Sequence, residues 1–210
     1  FPLLPTHTEK QSVMHIGYYI KRIWIRLCRI SHRKGYGIHS PFAFNIVTGV
    51  IYERTPYYAY AELAERFADE MEVYPQKDLQ LLLRLCNDAG PRRGIIIRPE
   101  NEAISAYLGR GCATGQFITV DEVTQSSAAG IDWAYIGEGA DLTDVSSRLL
   151  PAISSRGVMV IRHIYRTPET RAAWERLKAD ERVRVTFDLY DYGLVYFESR
   201  LNKEDYVICY

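Results

Sequence analysis

The sequence predicts an α/β fold built on a mostly parallel sheet, with a helical N-terminal extension. Three observations carry that expectation. Before Gly94 the apolar residues recur at helical spacing, three and four apart. From Gly94 onward short apolar runs alternate with helical patterns, the signature of βαβ units. The last two apolar runs, Val183–Leu189 and Gly193–Phe197, are joined only by Tyr190-Asp191-Tyr192. That link is too short for a parallel crossover, so the pair forms a C-terminal antiparallel hairpin.

The bulk numbers bound the function classes. A chain of 210 residues, 47% hydrophobic and 25% charged, suffices for one packed domain and excludes general disorder. Twenty-six Lys and Arg balance 26 Asp and Glu, which argues against nucleic acid as a partner. The balance hides an asymmetry: up to Val50 the basic residues are Lys10, Lys21, Arg22, Arg26, Arg29, Arg33 and Lys34, against Glu9 alone. Cys28, Cys86, Cys112 and Cys209 form no C-x-x-C pair, so neither a zinc site nor a disulfide framework is expected, and free thiols fit the cytoplasm. The apolar runs are far too short to span a membrane, and Phe1–Val13 lacks the apolar core of a secretory signal. Met14 is a candidate natural start, with residues 1–13 a disordered extension.

Ile16, Tyr19, Ile20, Ile23, Trp24, Leu27 and Ile30 make His15–Ser31 an amphipathic helix. The expectation is that its apolar stripe packs on the domain and its basic face meets solvent. A membrane-surface or partner-docking helix is the alternative. Ser40 is a good N-cap and Pro41 suits the first helical position, so a helix follows over Pro41–Glu53, with His39 at the hinge before it. Further helices are expected over Tyr60–Glu72 and Gln76–Asn87, the latter stopped by Gly90-Pro91. Residues 14–90 thus form a helical region packed on an α/β domain of residues 91–210. In that domain strands are expected at Gly94–Arg98, Gln116–Asp121, Asp132–Ile136 and Gly157–His163, with helices at Glu100–Leu108, Leu142–Leu149 and Pro168–Ala179.

Two stretches resemble a bacterial family of class I S-adenosylmethionine-dependent methyltransferase-like proteins. One is Gly35–Phe44 (GYGIHSPFAF) behind the basic helix. The other runs from Val160 through Ile164, Pro168 and Ala173-Trp174 to Gly193-Leu-Val-Tyr-Phe197. The resemblance implies a Rossmann-like class I methyltransferase fold and S-adenosylmethionine as cofactor. In that family the loop after the first strand bears glycines, because a side chain there would occupy the ligand's place. Here the loop is Arg98-Pro-Glu-Asn-Glu-Ala103, with no glycine between Gly94 and Gly109, one N–H removed by Pro99, and two acids, Glu100 and Glu102, that repel a carboxylate.

The acid that accepts the donor's ribose hydroxyls would be Asp121, with Glu122 beside it; a plain polar strand end reads the same way. The family's Ile-Asp-Gly becomes Ile136-Gly137-Glu138, and its Asp-Asp pair becomes Arg162-His163. Magnesium takes oxygen ligands and is repelled by Arg, so no metal is expected. Arg98, Arg162 and His163 at adjacent strand ends are instead candidates to bind an anion. Gly109-Arg-Gly111 follows a helix and does not form a phosphate loop.

A complete sheet of this family has a third strand outside the second. Between Asp121 and Asp132 only about ten residues are left, reaching about 33 Å when extended. That just allows a direct return, about 17–20 Å along the strand and about 10 Å more past two strand spacings. A parallel crossover alone takes about a dozen residues, so a helix, a strand and another helix cannot fit and the third strand is expected to be deleted. These readings leave three function classes. One is a methyltransferase-like protein degenerate in its donor site. Another is a pseudoenzyme binding an anionic small molecule or a protein, with a homo-oligomer possible. The last is a peripheral membrane or scaffold protein using the basic helix.

Overall fold

The computed structural model describes residues 24, 25, 27–29, 37–69 and 74–210. The expected disordered residues 1–13, Met14, most of the helix His15–Ser31 and Arg33-Lys34 therefore lie outside the described residues. Seven strands form one sheet: β1 (Arg93–Ile97), β2 (Gln116–Val120), β3 (Trp133–Ile136), β4 (Val158–Arg162), β5 (Val185–Asp188), β6 (Tyr192–Tyr196) and β7 (Glu204–Val207). Their spatial order is β2-β1-β3-β4-β6-β5-β7. β1 to β4 pair in parallel, as do β5 and β7, while β6 runs antiparallel to both β4 and β5. The mostly parallel sheet with its antiparallel C-terminal hairpin is thus as the sequence predicts.

The period of two in each strand divides the core. Ile96, Trp133, Tyr135, Val158 and Val160 face one side; Ile95, Ile97, Ala134, Ile136, Met159 and Ile161 face the other. The first side is covered by the N-terminal helices and α4. These are α1 (Pro41–Asn45) running into a π-helical stretch (Ile46–Ile51), α2 (Ala59–Arg66), α3 (Gln76–Ala89) and α4 (Glu102–Gly111). The second is covered by α5 (Gln125–Ala128), α6 (Leu142–Leu149) and α7 (Pro168–Ala179). Parallel strands buried on both faces read as continuous apolar runs, which is why they were legible.

Local signals set most boundaries. Ser40 caps α1, accepting from the Ala43 N–H, with Pro41 in the first turn. α3 ends at Gly90, left-handed at φ 54°, with Pro91 behind it. α4 starts two residues later than expected because Asn101 caps it, its side chain accepting from Ile104 N–H. At the other end of α4, a Cβ on Gly111 would lie 2.6 Å from the Leu83 carbonyl oxygen, so a glycine is what lets α4 lie against α3. Residues 70–73, the end of the expected helix Tyr60–Glu72, lie outside the described residues.

Asp121 to Asp132 fold as the short helix α5, capped by Thr124, and no strand flanks β2 on its outer side among the described residues. Between Asp121 and Asp132 there is therefore no third strand, as the residue count leads one to expect. β7 was not anticipated. The orientation of the N-terminal segment also differs from expectation in its described part: Trp24 and Leu27 are exposed and Arg29 faces the protein.

Candidate functional site

The parallel register brings four strand ends to one edge: Ile97 pairs with Val120 and Ile136, and Ile136 with Ile161. In open α/β sheets ligands bind beyond that edge. Arg98, the residue after β1, has φ +46°, and His163, the residue after β4, has φ +49°. Bulky residues in the left-handed region are strained and cluster at functional edges. Arg98 lies across the strand ends: its Nε donates to the Asp121 carbonyl at 3.0 Å and its Nη1 to the Gly139 carbonyl at 2.9 Å. The guanidinium thereby bridges the ends of β2 and β3. Gly137 is required by the same loop, since a Cβ there would fall 1.9 Å from the Arg98 carbonyl oxygen.

Glu100 turns inward from this loop. Its Oε2 accepts from the Tyr135 hydroxyl at 2.6 Å and its Oε1 from the Glu138 N–H at 2.7 Å. Oε1 also faces the Arg162 Nε at 3.6 Å. Arg162 is buried at the end of β4. It donates to the Tyr192 hydroxyl at 2.5 Å, stacks over the Tyr74 ring at 3.9 Å and lies 4.0 Å from Asp78. The Tyr74 hydroxyl in turn contacts those of Tyr135 and Tyr192. Burial pushes the Tyr74 phenol up to about 12, and Tyr135 and Tyr192 well above their ordinary value. Burial alone would lower the Arg162 guanidinium, but Tyr192, Tyr74, Tyr135 and Glu100 together raise it, so it stays charged. A buried cation is tolerable only with such partners.

A second ion cluster lies beside the first. Glu138 accepts at His163 Nδ1 (2.9 Å) and pairs with Arg166 at 3.0 Å. The His163 hydrogen bond, followed by burial acting the other way and the charges of His163 and Arg166, leaves the Glu138 carboxyl below its usual range. The His163 N–H donates to the Asp191 carbonyl at 2.6 Å.

The sequence-derived candidates thus sit at one edge of the sheet, in distinct roles. Asp121 and Glu122 are exposed at the end of β2, and Asp121 meets Arg98 through its carbonyl. Glu138 joins His163, while Arg162 lies beneath Glu100. Sequence reasoning did not find the buried set Tyr74, Asp78, Tyr135 and Tyr192, which α3 and the residues leading into it, β3 and β6 bring together. Among the described residues no three His, Cys, Asp or Glu side chains are grouped to hold a metal. Next to this edge a groove of about 1330 Å³, open mouth included, runs between Arg29, Tyr165, Arg171 and Tyr190. Arg29 there grips Asp188 at 2.8 and 3.0 Å, and Tyr165 donates to the same carboxylate.

No protein-family model and no curated protein matches the chain. Among solved structures it is similar to a methyltransferase from Geobacter sulfurreducens, at 13% identity, covering 70% of this chain and 92% of that one, with a TM-score of 0.53. It is also similar to the SAH-bound methyltransferase PaMTH1 of Podospora anserina, at 10% identity, covering 94% of this chain and 99% of that one, with a TM-score of 0.50. At such identities the likeness establishes the fold, which is the Rossmann-like methyltransferase fold.

Proposed function

We propose that this chain is a methyltransferase-like protein whose donor site is filled by its own side chains, and that it does not transfer methyl groups. One observation carries the reading: Arg98 bridges the ends of β2 and β3 while Glu100, two residues on in the same loop, turns inward onto Tyr135 and the Glu138 N–H. In the resembling family S-adenosylmethionine lies along this edge. The residues present do not fit it. The Glu138 N–H is taken by Glu100, the first helical turn of α4 is capped by Asn101, and Pro99 offers no donor. Glu100 adds a negative charge where the donor's carboxylate would lie. Beyond β2 no strand among the described residues supplies the outer wall for an adenine.

A second reading, a working methyltransferase, is favoured by Asp121, which stands exposed at the end of β2 where a ribose would meet it. Among the described residues Arg98 is held there by two hydrogen bonds to carbonyls, each worth about 1 kcal/mol net. Isothermal titration with S-adenosylhomocysteine and S-adenosylmethionine separates the two. The filled site predicts no saturable heat up to about 1 mM ligand, whereas a Kd of about 1 μM restores the enzyme. An anionic ligand of the cleft would have to displace Glu100 to reach Arg162. Phosphate titration into Glu100→Gln and the unmodified chain tests that route, with binding expected only in the variant.

A further inference from the structure

Two large apolar side chains of the N-terminal segment face solvent: Trp24 is 66% exposed and Leu27 58%. Trp24, Ile25, Leu27 and Cys28 are helical, so Trp24 and Leu27, three apart, share a face. Arg29 does the opposite. Its guanidinium is turned into the protein, forked onto Asp188 and set against the rings of Tyr165 and Tyr190. An ionic anchor on one side of the segment therefore leaves an apolar face on the other.

The surrounding sequence has a single sign. From Lys10 to Tyr52 there are Lys10, Lys21, Arg22, Arg26, Arg29, Arg33 and Lys34 and not one Asp or Glu, in a chain whose formal charge is zero. We infer that this segment docks the protein on an anionic lipid surface, Trp24 and Leu27 entering the acyl boundary and the positive charge of the sequence around them supplying the attraction. Exposed Trp and Leu flanked by Lys and Arg is the composition of helices that lie in the interface. Each cation close to such a surface adds attraction, and Trp, with Tyr18 and Tyr19 nearby in sequence, suits the headgroup level. Spanning is excluded for this stretch, because Lys21, Arg22 and Arg26 would then sit in hydrocarbon. An acidic protein would attract the cations equally but has no special use for a protruding Trp-Leu pair. This inference is independent of whether the donor site is filled.

The chain carries its own reporter. Of its three tryptophans, Trp133 and Trp174 are fully buried, so quenching by aqueous iodide reads Trp24. With vesicles of phosphatidylcholine and phosphatidylglycerol, the full chain should co-sediment. Its emission should shift blue, resist iodide and be quenched by lipids brominated on their acyl chains. Pure phosphatidylcholine should bind it at least about tenfold more weakly. Raising salt from about 0.1 M to about 1 M, which shortens the screening length from about 10 Å to about 3 Å, should release it. Trp24→Ser combined with Leu27→Ser should lower partitioning at least about tenfold while leaving the circular dichroism unchanged. Failure to co-sediment with anionic vesicles would overturn the inference. So would undiminished binding by the double variant. So too would iodide protection of Trp24 without lipid in a chain that sediments as a dimer, since a second copy would then cover the face.

Discussion

Arg98 occupies a backbone conformation in which a glycine would be at ease. For an ordinary residue the left-handed region costs about 1–2 kcal/mol, and at φ +46° Arg98 bears that cost. Two hydrogen bonds to carbonyls offset it. Arg98→Gly removes the strain and the bonds together and adds the entropy of a freer unfolded chain. Urea unfolding should therefore show a change within about 1 kcal/mol. A loss several times larger would mean that the bridge holds the edge together. The tyrosines below give a pH signature. A phenol raised in the folded state contributes stability that is complete below its ordinary value near 10 and lost as pH rises through the folded value. For Tyr74 that window runs from 10 to about 12. An alkaline titration followed by tyrosinate absorbance checks this. The buried set should ionise only together with the loss of near-ultraviolet circular dichroism.

Among the elements, the π-helical stretch after α1 depends on a residue from α3. The Arg84 side chain donates to the carbonyls of Val50 at 2.7 Å and Ile51 at 3.3 Å and to the Tyr60 hydroxyl at 3.2 Å. It thus terminates one helix, grips another and is itself buried. Arg84→Met keeps the length of the stem but orphans two buried carbonyls, and should cost about 2–4 kcal/mol in thermal or urea unfolding. None of this was legible: Arg84 falls within an apolar run, and only packing shows what it caps. The strands of the parallel sheet were legible because burial on both faces leaves unbroken apolar runs. β7 was not, since Glu204-Asp205-Tyr206-Val207 alternates charge with partial exposure and joins the sheet at its edge. The same division holds at the site. Arg98, Glu138, Arg162 and His163 could be read as strand ends, whereas Glu100 reads only as a loop acid that repels a carboxylate, because nothing local shows that Tyr135 and Arg162 lie beneath it.

At the scale of the whole molecule β2 is an edge among the described residues, and its sequence, Gln116-Phe-Ile-Thr-Val120, contains neither a charge nor a proline to discourage pairing. Thr119→Lys puts a charge at an exposed position on that edge. Light scattering on heating should then begin at a higher temperature or protein concentration, with the unfolding midpoint little changed. The other side of the molecule carries a different burden, which is one of time. The π-helical stretch and α1 bury Ala43, Val47 and Ile51 in a core that the C-terminal strands complete. The Tyr52 hydroxyl closes onto the Cys209 carbonyl, 157 residues further along. At synthesis rates of about 5–20 residues per second, those apolar helical faces wait roughly 8–30 s for their partners to emerge. Through that interval the nascent chain offers unsatisfied greasy surface to whatever is near.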